Sequence, residues 1–419
     1  MGIEQKINYQ LNKYPAVKKV IKRVYQLGMY AISPKIKSEG NIIKVSPNDD
    51  MEYFFGYYDK SPWNVTGRYI LCMKARDTWT NPDPTEPAEL IMIDTQSNNE
   101  VQHLAYTHAW NVQQGCMAQW LGSGDGYNVI FNNFNGGGYY CSQVLNVITG
   151  EKRELPIPVY SISADGKIAL SLDFSRLHRL RKGYGYSLIP EETANEKLPD
   201  KTCIWKMDIE TGEVTELLKY TDFANFEPRP EMKEAEHKVN HIMISPNGKR
   251  FMALHRWFDG QRKYTRLVTC NMDGTDMYVL SDDDMVSHCY WKNDEEIIAF
   301  ENKHGSGPGY YLMKDKTQEY KHMWPSINND GHPSYCPTDN SLIVTDSYPD
   351  RARIANIKLL RDTDIEGKNT KVIARVFAPF KYDNDTRCDL HPRWRQDGKA
   401  ICFDSVFEGH RGLYVVNID

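Results

Sequence analysis

The chain has 419 residues, of which 40% are hydrophobic, 26% charged and 12% aromatic, with a formal net charge of -5. That composition supplies a large core and excludes a disordered chain, and the mild negative charge excludes a general nucleic-acid binder, which needs a strong basic excess. The nine cysteines stand singly with no C-x-x-C pair, which excludes a zinc knuckle and fits a reducing compartment, so the expected localisation is cytoplasmic.

Residues 1–40 read as a basic helical segment. Pro15 suits a first helical turn; Val17, Val20, Ile21 and Val24 fall on one face, and Lys18, Lys19, Lys22 and Arg23 lie elsewhere. Two readings stay open: residues 13–30 dock on an anionic membrane at its inner face, or the helix packs on the outside of the domain. From residue 41 the chain repeats a short pattern of strand, Pro/Asn/Asp/Gly turn and apolar strand. Copies start at Tyr57, Met117, Val159, His241, His288, His332 and His391, and most are followed by third and fourth strands. Four antiparallel strands per repeat predict a seven-bladed β-propeller over residues 41–419, an all-β fold, with an insertion at 174–201. The last copy runs out of chain at GLYVVNID, so Asn41 to Ser46 is expected to close the ring as the outermost strand of the last blade.

Aligned on their turns, four consecutive copies begin with histidine (His241, His288, His332, His391), from only 12 in the chain. If these begin the innermost strands, the imidazoles converge at one channel mouth, as ligands for Mn, Fe, Ni or Zn or as general bases. A structural hydrogen-bonding role is the competing reading. Asp389, two residues before His391, points the same way on a strand and adds a carboxylate ligand; Arg387 and Arg393 flank this pair. The insertion carries Arg176, Arg179, Arg181 and Lys182, followed by Tyr184 and Tyr186, and reads as a lid gripping an anionic, sugar-like ligand, or else as a solvated loop. The glycine-rich runs NGGGYY and HGSGPGYY lack the Lys-Ser/Thr of a phosphate loop and read as hairpins.

The C-terminal segment HPRWRQDGKAICFDSVFEGHRGLYVVNID, with its His-Pro and Asp-Gly turn, and the spacing from His241 to His288 resemble the oligogalacturonate lyases and, more widely, TolB-like propellers. The resemblance implies β-elimination on an acidic oligo- or polysaccharide, with a divalent metal, manganese first, held by His288 and His391, to which Asp389 is added on its own spacing. It makes His241 the base. Arg181 and Tyr57 complete the expected catalytic set, and Arg176, Arg179, Tyr184, Arg387, Arg393 and His332 are the expected sugar contacts. The chain departs from the family at TRCDLHPRW, where Asp389 replaces a histidine and Thr386 stands near a glutamine's place. Two further readings are a non-catalytic scaffold propeller and a membrane-associated enzyme of surface-polysaccharide assembly such as a sugar transferase.

Overall fold

A computed structural model describes residues 15–122, 126–260 and 262–418. Seven antiparallel sheets follow one another around a channel: residues 52–107, 119–155, 161–219, 236–281, 286–323, 334–377 and 393–417 form blades 1 to 7. In blades 3, 4 and 7 the turn after the innermost strand is fixed by one carboxylate or amide: Asp165, Asn247 and Asp397 accept the N–H two residues on, at 3.1, 2.9 and 2.9 Å. The glycine inside each turn adopts φ near +70° (Gly166, Gly248, Gly398).

Neighbouring blades are tied by a recurring tryptophan. The indoles of Trp120, Trp291 and Trp394, on the innermost strands of blades 2, 5 and 7, donate to the carbonyls of Pro62, Met243 and Ser334 in the blade before, at 2.8, 3.0 and 3.1 Å. Trp291 and Trp394 are buried and Trp120 half-buried, and each bond is worth about 1 kcal/mol net, more where a buried donor would be orphaned. The same register places Trp63 in blade 1, where it bridges Ile70. Counting back three residues as in the other copies, the position equivalent to the histidines is Lys60. Tyr57 belongs to a longer approach loop and reaches the channel by a different route from the one its alignment suggested.

Ring closure follows the expectation: Ile42–Lys44 pairs antiparallel with Gly412–Asn417 as the outer strand of blade 7. The structure adds a second clasp. Ser38–Glu39 pairs with Lys371–Phe377 as a fifth strand on blade 6, so the N-terminal segment staples two adjacent blades. Between them Gly40 has φ +113°, and a Cβ there would sit 2.4 Å from the Ile373 carbonyl oxygen.

Helix α1 (Pro15–Ile32) leans on blade 6 through Tyr30, which stacks on Phe377 at 5.3 Å, and through Arg23, which lies over Phe380 and pairs with Asp383 at 2.5 Å. Residues 1–14 lie outside the described residues. The insertion leaves blade 3 between its second and third strands and opens with helix α2 (Phe174–Leu180), capped by Asp173. It is packed down: Phe174 stacks on Tyr186 at 4.5 Å, and Leu177, Tyr184 and Tyr186 are buried in the same core cluster.

Candidate functional site at the channel mouth

The four register histidines meet around Tyr57 and Tyr58. Ring centroids of His332 lie 4.0 Å from His288 and 4.3 Å from His391, and Tyr57 is 5.5 Å from His241 and 5.1 Å from His391. His241 and His391 take left-handed backbone, φ 56° and 44°, a conformation that costs a non-glycine residue about 1–3 kcal/mol and collects at functional sites.

Three ligand atoms, one each from His332, Asp389 and His391, lie within 4.8 Å of one another, and all three residues are buried. His332 Nε2, His391 Nε2 and Asp389 Oδ2 have no hydrogen-bond partner. Asp346 accepts from His332 Nδ1 at 2.8 Å, which leaves Nε2 with its lone pair; Arg387 Nε donates to Asp389 Oδ1 at 2.7 Å, which leaves Oδ2 open. Burial alone would lower the His332 pKa, but Asp346, Asp389 and Asp330 together hold it above the usual value, so a cation taking that lone pair would do so in place of a proton. Two imidazoles and a carboxylate with oriented outer partners suit a first-row divalent ion. The donor set therefore fits a metal, with His332 in the place expected for His288.

His288 is turned to another task. Its Nδ1 donates to Asp330 at 2.9 Å, fixing the tautomer that carries the lone pair on Nε2, and Ser287 holds the other oxygen of Asp330 at 2.6 Å. His288 lines a cavity of about 230 Å³ together with Tyr57, Arg181, Tyr184, Lys238, Asn240, Arg256, Lys263, Asp330 and Tyr348. His241 does not line it. Its Nε2 donates to the Cys289 carbonyl at 3.1 Å beside the Tyr58 hydroxyl, its Nδ1 is unpartnered, and burial first of all keeps it neutral.

Of the expected sugar contacts, Tyr184 and the expected catalytic pair Arg181 and Tyr57 are brought together in this cavity. Arg387 does not line the cavity but lies over the ring of Tyr348, which does, at 4.6 Å. The other arginines are structural. Arg176 is fully buried, pairing with Glu191 at 2.5 Å and donating to the carbonyls of His237, Glu196 and Lys197, so it pins the insertion to blade 4. Arg179 is spent on Glu191 and Glu236. Arg393, 1% exposed, holds Asp404 at 2.9 Å and the carbonyls of Gly56 and Tyr57. They read as ligand contacts in sequence because an arginine's charge is visible there and its partner is not.

The sequence reading missed Lys238, Arg256, Lys263, Asp330 and Tyr348. One signal was available: Asp330 precedes His332 as Asp389 precedes His391, a repeated Asp-x-His. The lysines and Arg256 lie in strands that read as ordinary blade strands.

Two solved structures cover nearly the whole chain. An oligogalacturonate lyase from Vibrio parahaemolyticus matches with TM-score 0.62 and 13% identity over 90% of this chain and 93% of its own. An oligogalacturonate lyase in complex with manganese matches with TM-score 0.65 and 15% identity over 92% and 95%. The fold is that of the oligogalacturonate lyases. The β-propeller domain of the Trilobed protease from Pyrococcus furiosus is more distant, with TM-score 0.50 and 11% identity over 86% and 94%. No protein-family model and no curated protein sequence matches the chain.

Proposed function

We propose that the protein is a carbohydrate-active lyase that binds an acidic glycan at the channel mouth and cleaves it by metal-assisted β-elimination. The observation that carries this reading is the three unpartnered ligand atoms of His332, Asp389 and His391 set directly behind the cavity wall formed by Tyr57 and His288. The lyase fold of the neighbours, one of them a manganese complex, supports it. A divalent cation held by the triad would place positive charge behind that wall, on the side of the uronate carboxylate bound in the cavity, and would so help acidify the C5 proton.

The chain's own residues then have assignable parts. His288 Nε2 takes the C5 proton, and Asp330 stabilises the imidazolium that results. The C5–H electron pair forms the C4=C5 double bond as the C4–O bond to the departing sugar breaks. Tyr57, whose burial first of all raises its pKa and keeps it a phenol, supplies the proton to the leaving oxygen. Arg181, over the Tyr184 ring at 4.3 Å, orients the acidic sugar.

Metal analysis and ultraviolet assay of unsaturated products from a polyuronide panel test this. The expected result is stoichiometric first-row metal, lost in His332→Ala and His391→Ala, with product formation falling at least 100-fold in His288→Ala at retained metal content. Metal-free protein with no product from any polyuronide would end the reading.

A further inference from the structure

Lys238 and Arg256 lie directly opposite each other on paired strands of blade 4, at 2% and 6% exposure. Like charges in that position repel, and burying either without a counter-charge is costly. Yet neither makes a side-chain hydrogen bond or ion pair among the described residues, and Arg256 Nε is buried without a partner. Arg181, from the end of α2, and Lys263, from the next strand of blade 4, face the same cavity. Asp330 is the one carboxylate among its lining residues, and it is already bound to Ser287 and His288. A larger cavity of about 490 Å³ at the turn end of the channel shows the contrast: its Lys60 is neutralised by Asp59 at 2.8 Å.

We infer that the Arg181, Lys238, Arg256 and Lys263 cluster is a binding site for a phosphoryl group, a phosphate monoester or diphosphate carried by the sugar ligand. A carboxylate is planar, carries one charge and is satisfied by a single arginine fork. Four cations drawn from one helix end and three strands surround their ligand, which suits an oxyanion with two charges and oxygens pointing several ways. The inference rests on the reading that the channel mouth is the substrate site, and it narrows the substrate to a phosphorylated acidic saccharide.

Calorimetric titration of the full chain at fixed ionic strength, with inorganic phosphate, pyrophosphate, galacturonate and digalacturonate as probes, tests it. Expected are phosphate or pyrophosphate binding at least tenfold tighter than galacturonate, a further tenfold loss in Lys238→Met, and no loss in His391→Ala, which separates this site from the metal triad. Lys238→Met should also melt about 1–3 °C above wild type without ligand, because it removes a repulsion. Arg256→Met serves if that variant does not fold. Binding of digalacturonate alone, or phosphoryl binding indifferent to both substitutions, overturns the inference and leaves the lyase reading standing. Phosphoryl binding with no unsaturated product from any polyuronide does the reverse.

A second inference has separate support. Helix α1 is docked by Arg23 and Tyr30, while Val17, Val20, Ile21, Val24, Leu27 and Ile32, which share a different face, are 47–78% exposed. Lys18, Lys19 and Lys22 occupy helix positions on the side away from that stripe. We propose that this face lies in the plane of an anionic bilayer, since an apolar stripe on one side and lysine positions on the other is the pattern of a helix lying among acidic headgroups, and the helix is not apolar enough to cross. Flotation with phosphatidylcholine vesicles, with and without phosphatidylglycerol, checks it. Binding should need the anionic lipid and fall at least tenfold in Val24→Asp at unchanged Tm. Equal binding to neutral vesicles, or dimers that Val24→Asp dissolves, overturns the assignment.

Discussion

Lys263 is pushed down to about 7, by Arg256 first, then by burial and Arg181, with Asp330 pulling weakly the other way. Its unfolded value is about 10.4. Below pH 7 the lysine is protonated in both states and the repulsion is fully present; between 7 and about 10 the unfolded chain holds more protons, so stability rises with pH. Lys238 shifts in the same direction, chiefly through burial. Denaturant titrations of the ligand-free protein from pH 6 to 9 should therefore show a rising midpoint, flattened in Lys263→Met. The opposite sign of charge economy holds at Arg393, which is saturated by Asp404. Arg393→Met leaves a buried carboxylate unpaired and should cost about 3–5 kcal/mol, read as a lowered urea midpoint, whether or not ligand is bound. Sequence alone ranks these two residues the other way round. Arg393 stands out beside His391, while Lys238 opposite Arg256 exists only once strand register is set.

At the scale of elements, the strand over Ile42–Lys44 was legible because it was an apolar stretch left over after every other strand had a blade. Ser38–Glu39 was not: two exposed polar residues give no period, and their pairing depends on where blade 6 ends. Gly40 between them is the joint, and Gly40→Ala should cost about 1–3 kcal/mol by denaturant titration, since its φ and the nearby Ile373 carbonyl both exclude a Cβ. The seven copies were likewise readable, because strand, polar turn and apolar strand recur in order, whereas the recurring tryptophan donors show only in the structure. Tyr57 shows the limit. A longer approach loop in blade 1 shifts the alignment, so Lys60 holds the repeat position while Tyr57 still arrives among the histidines.

For the molecule as a whole, the His332, Asp389 and His391 cluster bridges the junction the clasp secures. His332 leads into the innermost strand of blade 6 and His391 into that of blade 7, and Asp346 accepts the backbone N–H of both, at 2.8 and 3.1 Å. Deleting residues 1–44 should therefore weaken metal retention during dialysis as well as lower Tm, whereas a blade-2 surface substitution such as Tyr139→Ser should do neither.

The same closure orders events during synthesis. The strand over Ile42–Lys44 must wait for a partner made far later, since Lys44 pairs with Tyr414. At about 5–20 residues per second that wait is tens of seconds on a ribosome. Until blade 6 has emerged the α1 segment has none of its docking partners Phe377, Phe380 and Asp383, because the ring that will hold it is still being extruded. A nascent chain whose helix α1 can find a lipid surface before blade 7 exists would be delivered to that surface ahead of its own channel-mouth histidine cluster, which is complete only when His391 of blade 7 is in place.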